Sequence, residues 1–316
     1  MKYRNVGKSG LVVSALGIGC NAFGGRIDLE ATRLVVDKAL ELGVTLFDTA
    51  DIYSDRGGSE SALGQILRGK RDDLVIATKF GGPMDDAGMK RGASRRHIMA
   101  AVEASLRRLQ TDWIDLYQLH FPDPSTPMEE TLRALDDLVR QGKVRYIGNS
   151  NLAGWQIADA DHLARALNSN AFISCQNEYS LLVRDVETEV IPAAKAYGLG
   201  MLPYFPLAGG LLTGKYERDI PAPAGTRFVT ATQLAQRYQT PANWTAVEKL
   251  KAFGASRGWP LIDLAVSWLL ARKPVCSVIA GATKPEQVVQ NAAALDRELT
   301  EADLAEIDTI VQPERP

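Results

Sequence analysis

Leu46-Phe47-Asp48-Thr49-Ala50-Asp51-Ile52-Tyr53 is the stretch that decides the fold. Val44, Leu46 and Phe47 make a short apolar run of the kind found in buried strands, and the run ends on Asp48, with Tyr53 shortly beyond it. Two further apolar runs end the same way. Leu74-Val75-Ile76-Ala77-Thr78 closes on Lys79, and Ile114-Asp115-Leu116-Tyr117-Gln118-Leu119 closes on His120. Were these strands parallel neighbours, an Asp, a Lys, a His and a loop Tyr would meet at one end of the sheet.

The rest of the chain supports that arrangement. Residues 1–13 read as a hairpin with turn chemistry from Gly7 to Gly10, and residues 14–19 as a first buried strand. Asp28 is placed to cap a helix carrying Leu34, Val35, Ala39 and Leu42, which Gly43 stops. Helical patterns follow near 60–67, 94–110 and from 126, where Thr126-Pro127-Met128-Glu129 predicts a capping box. Strands are expected at 144–147, 172–176, 200–204 and 275–279, with helices near 153–168, 186–197, 243–257, 261–271, 285–295 and 301–311. Eight strands alternating with helices, and no linker dividing them, predict an α/β fold: one (β/α)8 TIM barrel over residues 1–316, with an N-terminal β-hairpin and extra C-terminal helices. Residues 207–240, rich in Gly, Pro and aromatics, read as an irregular, mobile flap over the C-terminal face.

The competing fold is met at Gly17-Ile18-Gly19-Cys20-Asn21-Ala22, which fits a dinucleotide fingerprint after a strand. That motif needs a helix opening within it to hold a pyrophosphate. Here Phe23-Gly24-Gly25 intervene and the helix signal begins only at Asp28, so the barrel is preferred.

The bulk numbers narrow the function. The chain has 316 residues, 46% hydrophobic and 23% charged, with a formal net charge of -2. That composition predicts an ordinary globular core and gives no electrostatic reason to expect nucleic acid or an anionic membrane. No apolar run is long enough to span a bilayer, and no signal peptide is read at the N-terminus. Cys20, Cys175 and Cys276 have no CxxC spacing, and His97, His120 and His162 no HExxH, so no metal site is expected. The cysteine usage predicts a cytoplasmic setting. His97 and His162 read as structural or exposed, Cys20 as packing, the tryptophans mostly as helix-associated core, and Arg95-Arg96 and Arg107-Arg108 as solvated helix charges. Phe23, Phe80 and Phe121 follow strand ends, where they would line an apolar substrate pocket.

The strand-end set suits proton donation. A tyrosine titrates near ~10, and a neighbouring ammonium favours the tyrosinate, so Lys79 is expected to lower the pKa of Tyr53. Asp48 would keep Lys79 charged and oriented, and His120 would donate a hydrogen bond to a carbonyl oxygen. A site that protonates an oxyanion needs a hydride from elsewhere, and a nicotinamide cofactor supplies one.

At this point the sequence resembles the aldo-keto reductases along almost its whole length. The Asp48-Thr49-Ala50 … Tyr53 run, Lys79, Leu119-His120, Gly148-Asn149-Ser150-Asn151, Gln176-Asn177-Glu178-Tyr179, Pro203 to Tyr216 and Ile279 to Asn291 fall in that family's order. The opening Tyr3-Arg4 … Ser9-Gly10-Leu11 is similar to the bacterial and potassium-channel β-subunit-like branches. The resemblance implies Tyr53 as general acid, completed by Asp48, Lys79 and His120, with Tyr53 and His120 also touching the substrate. It implies that Ser150, Asn151 and Gln176 bind the nicotinamide carboxamide and that Tyr204 stacks on the ring. Gly19, Cys20, Asn21 and Asp48 would face the cofactor. Phe205, Pro206 and the stretch from Leu207 through Gly209, Leu211 and Gly214 to Lys215 would cover the pyrophosphate. Ile279, Gly281, Thr283, Lys284, Gln287 and Asn291 would hold the adenosine end. The implied cofactor is NADPH, with NADH the alternative, and the implied reaction is reversible reduction of an aldehyde or ketone, a small-molecule carbonyl. The alternative is a cofactor-binding regulatory subunit like the channel β-subunits. Phe205 stands where the family commonly has Ser, Asn149 where an apolar residue is frequent, and neither Thr283 nor Gln287 is basic. Nothing in the sequence chooses between monomer and homo-oligomer.

Overall fold

The computed structural model describes residues 1–311. An antiparallel pair, β1 (Tyr3–Asn5) and β2 (Val12–Ser14), precedes eight parallel strands. These are β3 (Leu16–Gly19), β4 (Leu46–Asp48), β5 (Val75–Phe80), β6 (Ile114–Leu119), β7 (Val144–Ser150), β8 (Ser174–Gln176), β9 (Gly200–Met201) and β10 (Val278–Gly281). They hydrogen-bond in the order β10-β3-β4-β5-β6-β7-β8-β9. The ring closes where Met201 bridges Val275 in parallel and the Ile279 amide donates to the Pro203 carbonyl at 3.0 Å. The fold is a (β/α)8 barrel.

Helices interleave with the strands: α1 (Leu29–Glu41), α2 (Tyr53–Ile66), α3 (Arg95–Leu109), α4 (Met128–Arg140), α5 (Gly154–Ala166) and α6 (Val190–Tyr197). After β9 come α7 (Arg227–Thr230), α8 (Thr232–Tyr238), α9 (Pro241–Ser256) and α10 (Leu261–Ala271), and after β10 come α11 (Pro285–Ala293) and α12 (Glu301–Val311). Local chemistry starts and stops α1 as read. Asp28 Oδ1 accepts from the Ala31 amide at 2.9 Å, and Gly43 ends α1 at φ +78°. The capping box before α4 does not form, because Thr126 donates its hydroxyl to Asp123 instead, at 2.8 Å.

Two cores result. The larger lies between the strands and the helices, with Phe47, Tyr117, Trp268 and Leu264 fully buried. The smaller fills the barrel interior with Leu46, Val75, Ala77, Leu116, Leu202 and Ile279, and the hairpin plugs its lower end with Val6 and Val13. Strand periodicity then decides what lies above. Two residues on from Leu46, Ala77 and Leu116, on the same inward face, stand Asp48, Lys79 and Gln118. A polar layer therefore sits directly on an apolar one, at the carboxyl ends of the strands where such barrels carry their chemistry. Gly148 keeps this interior open: a Cβ there would come within 2.2 Å of Ser174 Oγ.

Several elements depart from the expectation, among them the two closing strands and residues 207–240. The final strand pairs with β3 from Val278, not Val275, because residues 275–277 cross to bond β9 and close the ring. The seventh ends at Met201, since Pro203 lacks an amide donor for the ladder. With neither helix nor strand over residues 214–226, residues 207–240 are irregular only in part. They contain a 3-10 segment at Ala208–Thr213 followed by α7 and α8. Aromatic anchors explain this: Tyr216 stacks on Phe228 at 4.4 Å, and both are buried with Tyr238. Among the tryptophans, Trp155 is 67% exposed rather than core.

Candidate active site

The register brings the strand-end residues together. Gly19 pairs with Asp48, Asp48 with Ala77, and Lys79 with Gln118, so neighbouring strands deliver inward-facing side chains at one level. Lys79 is fully buried, and its Nζ donates to Asp48 Oδ2 at 2.6 Å, to the Thr49 carbonyl at 2.8 Å and to Tyr53 Oη at 3.4 Å. The other oxygen of Asp48, Oδ1, accepts from Gln118 at 3.1 Å and from Gln176 at 2.9 Å. The carboxylate is thus fully engaged and the ammonium is fixed under the phenol. Burial works against the charge on Lys79, but Asp48 and Tyr53 outweigh it and raise its pKa above the usual 10.5.

Tyr53 opens α2 with a turn in which Ser54, Asp55 and Arg56 take left-handed φ values of +53°, +56° and +60° before Gly57 releases the chain into the regular part of the helix. Left-handed backbone costs about 1–2 kcal/mol per non-glycine residue, so this turn is held by its surroundings and not by local preference. The expected effect of Lys79 on Tyr53 is only partly realised. Burial pushes the phenol above its usual 10.0 and Lys79 opposes that without overcoming it. Tyr53 is therefore a protonated donor at neutral pH.

His120 ends β6, with its ring 5.7 Å from that of Tyr53 and edge-on, and stacked on Phe121 at 4.1 Å. Burial, assisted by the Lys79 charge, drives its pKa down to about 2, so the imidazole is neutral. Its backbone carbonyl accepts from Asn151 Nδ2 at 2.9 Å, and Asn151 Oδ1 accepts from Tyr204 Oη at 2.8 Å. Ser150 donates to the Gln176 carbonyl at 2.7 Å. Tetrad, amide groups and ring thereby form one connected wall.

A cleft of about 1050 Å³ runs from this wall to the start of α11. It is lined by Gly19, Cys20, Asn21, Tyr53, His120, Phe121, Ser150, Asn151 and Gln176 at one end, by residues 204–207, Gly209 and Lys215 in the middle, and by Ile279, Gly281, Thr283, Lys284, Gln287 and Asn291 at the other. Several expectations are corrected. Phe23 and Phe80 are fully buried and lie in the core, Phe80 against Tyr117 at 4.8 Å, so neither forms the pocket wall. Leu211 and Gly214 lie outside the cleft lining, with Leu211 a buried residue of the 3-10 segment itself. Cys20 packs as expected, its thiol donating to the Ile18 carbonyl at 3.3 Å and pushed well above its usual pKa by burial, and it also lines the cleft. Arg108 is no solvated charge: its Nε donates to the fully buried Glu60 at 2.7 Å.

The sequence reading missed Gln118, Arg26 and Arg227. Gln118 was hidden in a strand that reads as apolar. Arg26, in the loop before α1, and Arg227, the first residue of α7, both line the cleft, and each has its guanidinium pKa lowered by burial. Arg26 meets only Asn21 Oδ1, at 3.0 Å, and Arg227 lies over the Phe205 ring at 5.0 Å. Neither has a carboxylate partner among the described residues. The sequence signal available was a lone Arg after Gly24-Gly25 and another after Gly225.

Among the described residues no group of His, Cys, Asp and Glu is arranged to hold a metal, and no helix is long and apolar enough to cross a membrane. Comparison with known proteins agrees with the geometry. Residues 15–312 match the Aldo/keto reductase family. The chain is 37% identical to a "Probable voltage-gated potassium channel subunit beta" of Arabidopsis thaliana, covering 100% of this chain and 99% of that protein. It is also 37% identical to a protein of the same name from Oryza sativa subsp. japonica, covering 94% and 92%. A "Putative voltage-gated potassium channel subunit beta" of Schizosaccharomyces pombe is 37% identical, covering 98% and 93%. This chain belongs to the aldo/keto reductase family.

Proposed function

We propose that residues 1–316 form one reductase domain that uses NADPH, with NADH the alternative, to reduce an aldehyde or ketone reversibly, and that it works in the cytoplasm. The single observation that carries this reading is Lys79, a buried ammonium paired with Asp48 and reaching the Tyr53 hydroxyl, at the mouth of a long cleft. The cleft fits a dinucleotide. Gln176 spends its amide nitrogen on Asp48, which turns its carbonyl oxygen toward a carboxamide, and Tyr204 is held by Asn151 for stacking. Arg26, Arg227, Lys215 and Lys284 offer cations where phosphates would lie. Bound there, a nicotinamide cofactor supplies the hydride.

The chain's own residues do the rest. Neutral His120 orients the carbonyl oxygen by a hydrogen bond, and Tyr53 gives its proton to that oxygen as negative charge develops. Lys79 stabilises the tyrosinate left behind, and Asp48 keeps Lys79 from being an unpaired buried cation. In the oxidative direction the tyrosinate takes the proton back.

The names of the relatives favour a second reading, in which the chain holds the cofactor as a regulatory subunit. Cofactor consumption separates the two. We expect quenching of tryptophan fluorescence by NADPH, and loss of NADPH absorbance with a small activated aldehyde. Binding without turnover of aldehydes or bulkier ketones would favour the subunit, and absence of binding would end both readings.

A further inference from the structure

Behind the tetrad, between α2, α3 and β6, lies a set of buried groups that the reaction above does not use. Asp51 is 1% exposed, and among the described residues neither carboxylate oxygen has a hydrogen-bond partner. The adjoining Ile52 amide leans on the carboxylate without reaching hydrogen-bond geometry. Glu60 is fully buried and satisfied, accepting from Thr78 Oγ1 at 2.6 Å and from Arg108 Nε at 2.7 Å. Tyr117 is fully buried with its hydroxyl unpartnered.

Counting charges decides the state of Asp51. Lys79 on β5 is already matched by Asp48, and Arg108 on α3 by Glu60 on α2. An ionised Asp51 would be a further buried anion with no cation and no donor of its own, facing Glu60 and the Tyr117 hydroxyl of β6. A buried carboxylate in that position keeps its proton. Its pKa is raised to about 8, first by burial and then by Glu60, with Arg108, the Ile52 amide and Lys79 pulling the other way.

The placement of this acid ties it to the chemistry. Its amide donates to the Lys79 carbonyl at 3.0 Å, and Thr78, next to Lys79, is bound to Glu60. Two residues on is Tyr53, which begins the left-handed turn. We propose that Asp51 is a positioning residue for Tyr53: as a neutral acid it lets the Thr49–Tyr53 turn sit against Glu60 and Tyr117, and its ionisation unseats that turn. The proposal rests on Tyr53 being the proton donor.

The sign follows from linkage. Between the unfolded value of 3.8 and about 8 the folded chain holds a proton at Asp51 that the unfolded chain has lost, so stability falls as pH rises through that window. Above it, the ionised acid strains the turn in the folded state.

The test compares wild type with Asp51→Asn, which keeps the shape and cannot ionise. Two quantities are followed from pH 6 to pH 10: kcat for carbonyl reduction, and hydrogen exchange of residues 49–57 corrected for its intrinsic pH dependence. Wild type should lose kcat through about pH 8, about tenfold by pH 9, while Asp51→Asn keeps its plateau until Tyr53 itself titrates. Wild-type exchange in that segment should rise over the same window and the variant's should not. Superposable profiles and matched exchange would overturn the proposal. So would an Asp51→Asn enzyme that binds NADPH and is inactive at every pH, since the acid's proton would then be needed for more than position. Should wild type reduce no carbonyl, the reductase reading fails alone and the exchange comparison still decides whether Asp51 controls the turn. Asp51→Ser, smaller and neutral, replaces Asp51→Asn if the latter does not fold.

Discussion

The tetrad and the rest of the cleft treat charge in opposite ways. At the tetrad end the one buried cation, Lys79, is matched by Asp48, and Asp48 is matched again by Gln118 and Gln176. These groups stand on strand ends whose register fixes them. Along the rest of the cleft Arg26, Arg227, Lys215 and Lys284 stand on loops or at a helix start, and none forms an ion pair among the described residues. Arg227 even has its pKa lowered further by the nearby Arg26. The contrast teaches a division of labour. A matched buried set needs no ligand to be stable and is preorganised for a proton transfer, whereas facing cations without counter-ions are completed by an anionic ligand.

The largest effect that sharpens this contrast is expected from Lys79→Met. It should abolish most turnover and also cost about 3–5 kcal/mol of stability, because Asp48 is left as an unpaired buried charge. Adding Asp48→Asn should restore much of the stability and none of the activity, read by denaturant unfolding and by initial rates. A single variant as stable as wild type would break the matched-charge account of that end.

Along the rest of the cleft, Arg26→Ala and Arg227→Ala should each weaken NADPH binding about tenfold with little change in kcat, as expected for loss of a charge-assisted contact. The loss should shrink as salt is raised. Titrations by fluorescence quenching at low and high ionic strength check this, and unchanged affinity in both variants would remove these cations from the binding site.

The pH dependence separates the two again. His120 has its pKa driven to about 2, so kcat/KM should show no inflection near 6.5 arising from this residue. A limb there that disappears in His120→Asn would show a charged imidazole and contradict the neutral-donor role. The smallest effect is expected from Phe121→Ala. Phe121 is 44% exposed and stacks on His120, so its loss should raise KM for an aromatic aldehyde by a few-fold and leave cofactor affinity unchanged.

Much of this was legible in the sequence because strand ends are. Apolar runs closing on Asp48, Lys79 and His120 locate both the sheet and the side chains that face its upper end, and period-2 alternation does the rest. The closing strands were harder to place. Pro203 and the crossing at residues 275–277 shorten the ladder, and neither is marked by a change in hydrophobicity. Gln118 was invisible because one amide in an apolar run reads like any strand residue, although its register opposite Lys79 makes it a second support for Asp48. Glu60 and Arg108 are far apart in sequence and lie on helices, where charges usually face water, so their buried pairing needed the packing of α2 on α3 to be seen. The aromatics at 216, 228 and 238 were read as signs of a flap, yet they are what holds residues 207–240 in place: Tyr238 and Arg237 both bind Glu178, just beyond β8.

The most direct test of the central claim is the rate of carbonyl reduction by Tyr53→Phe with NADPH affinity measured on the same preparation. The account predicts a fall in kcat of about 10²–10⁴-fold, the usual worth of a positioned general acid, with cofactor affinity within a factor of two or so of wild type. A variant that binds NADPH and reduces the aldehyde at close to the wild-type rate would contradict it, since the proton would then come from a group other than the phenol above Lys79.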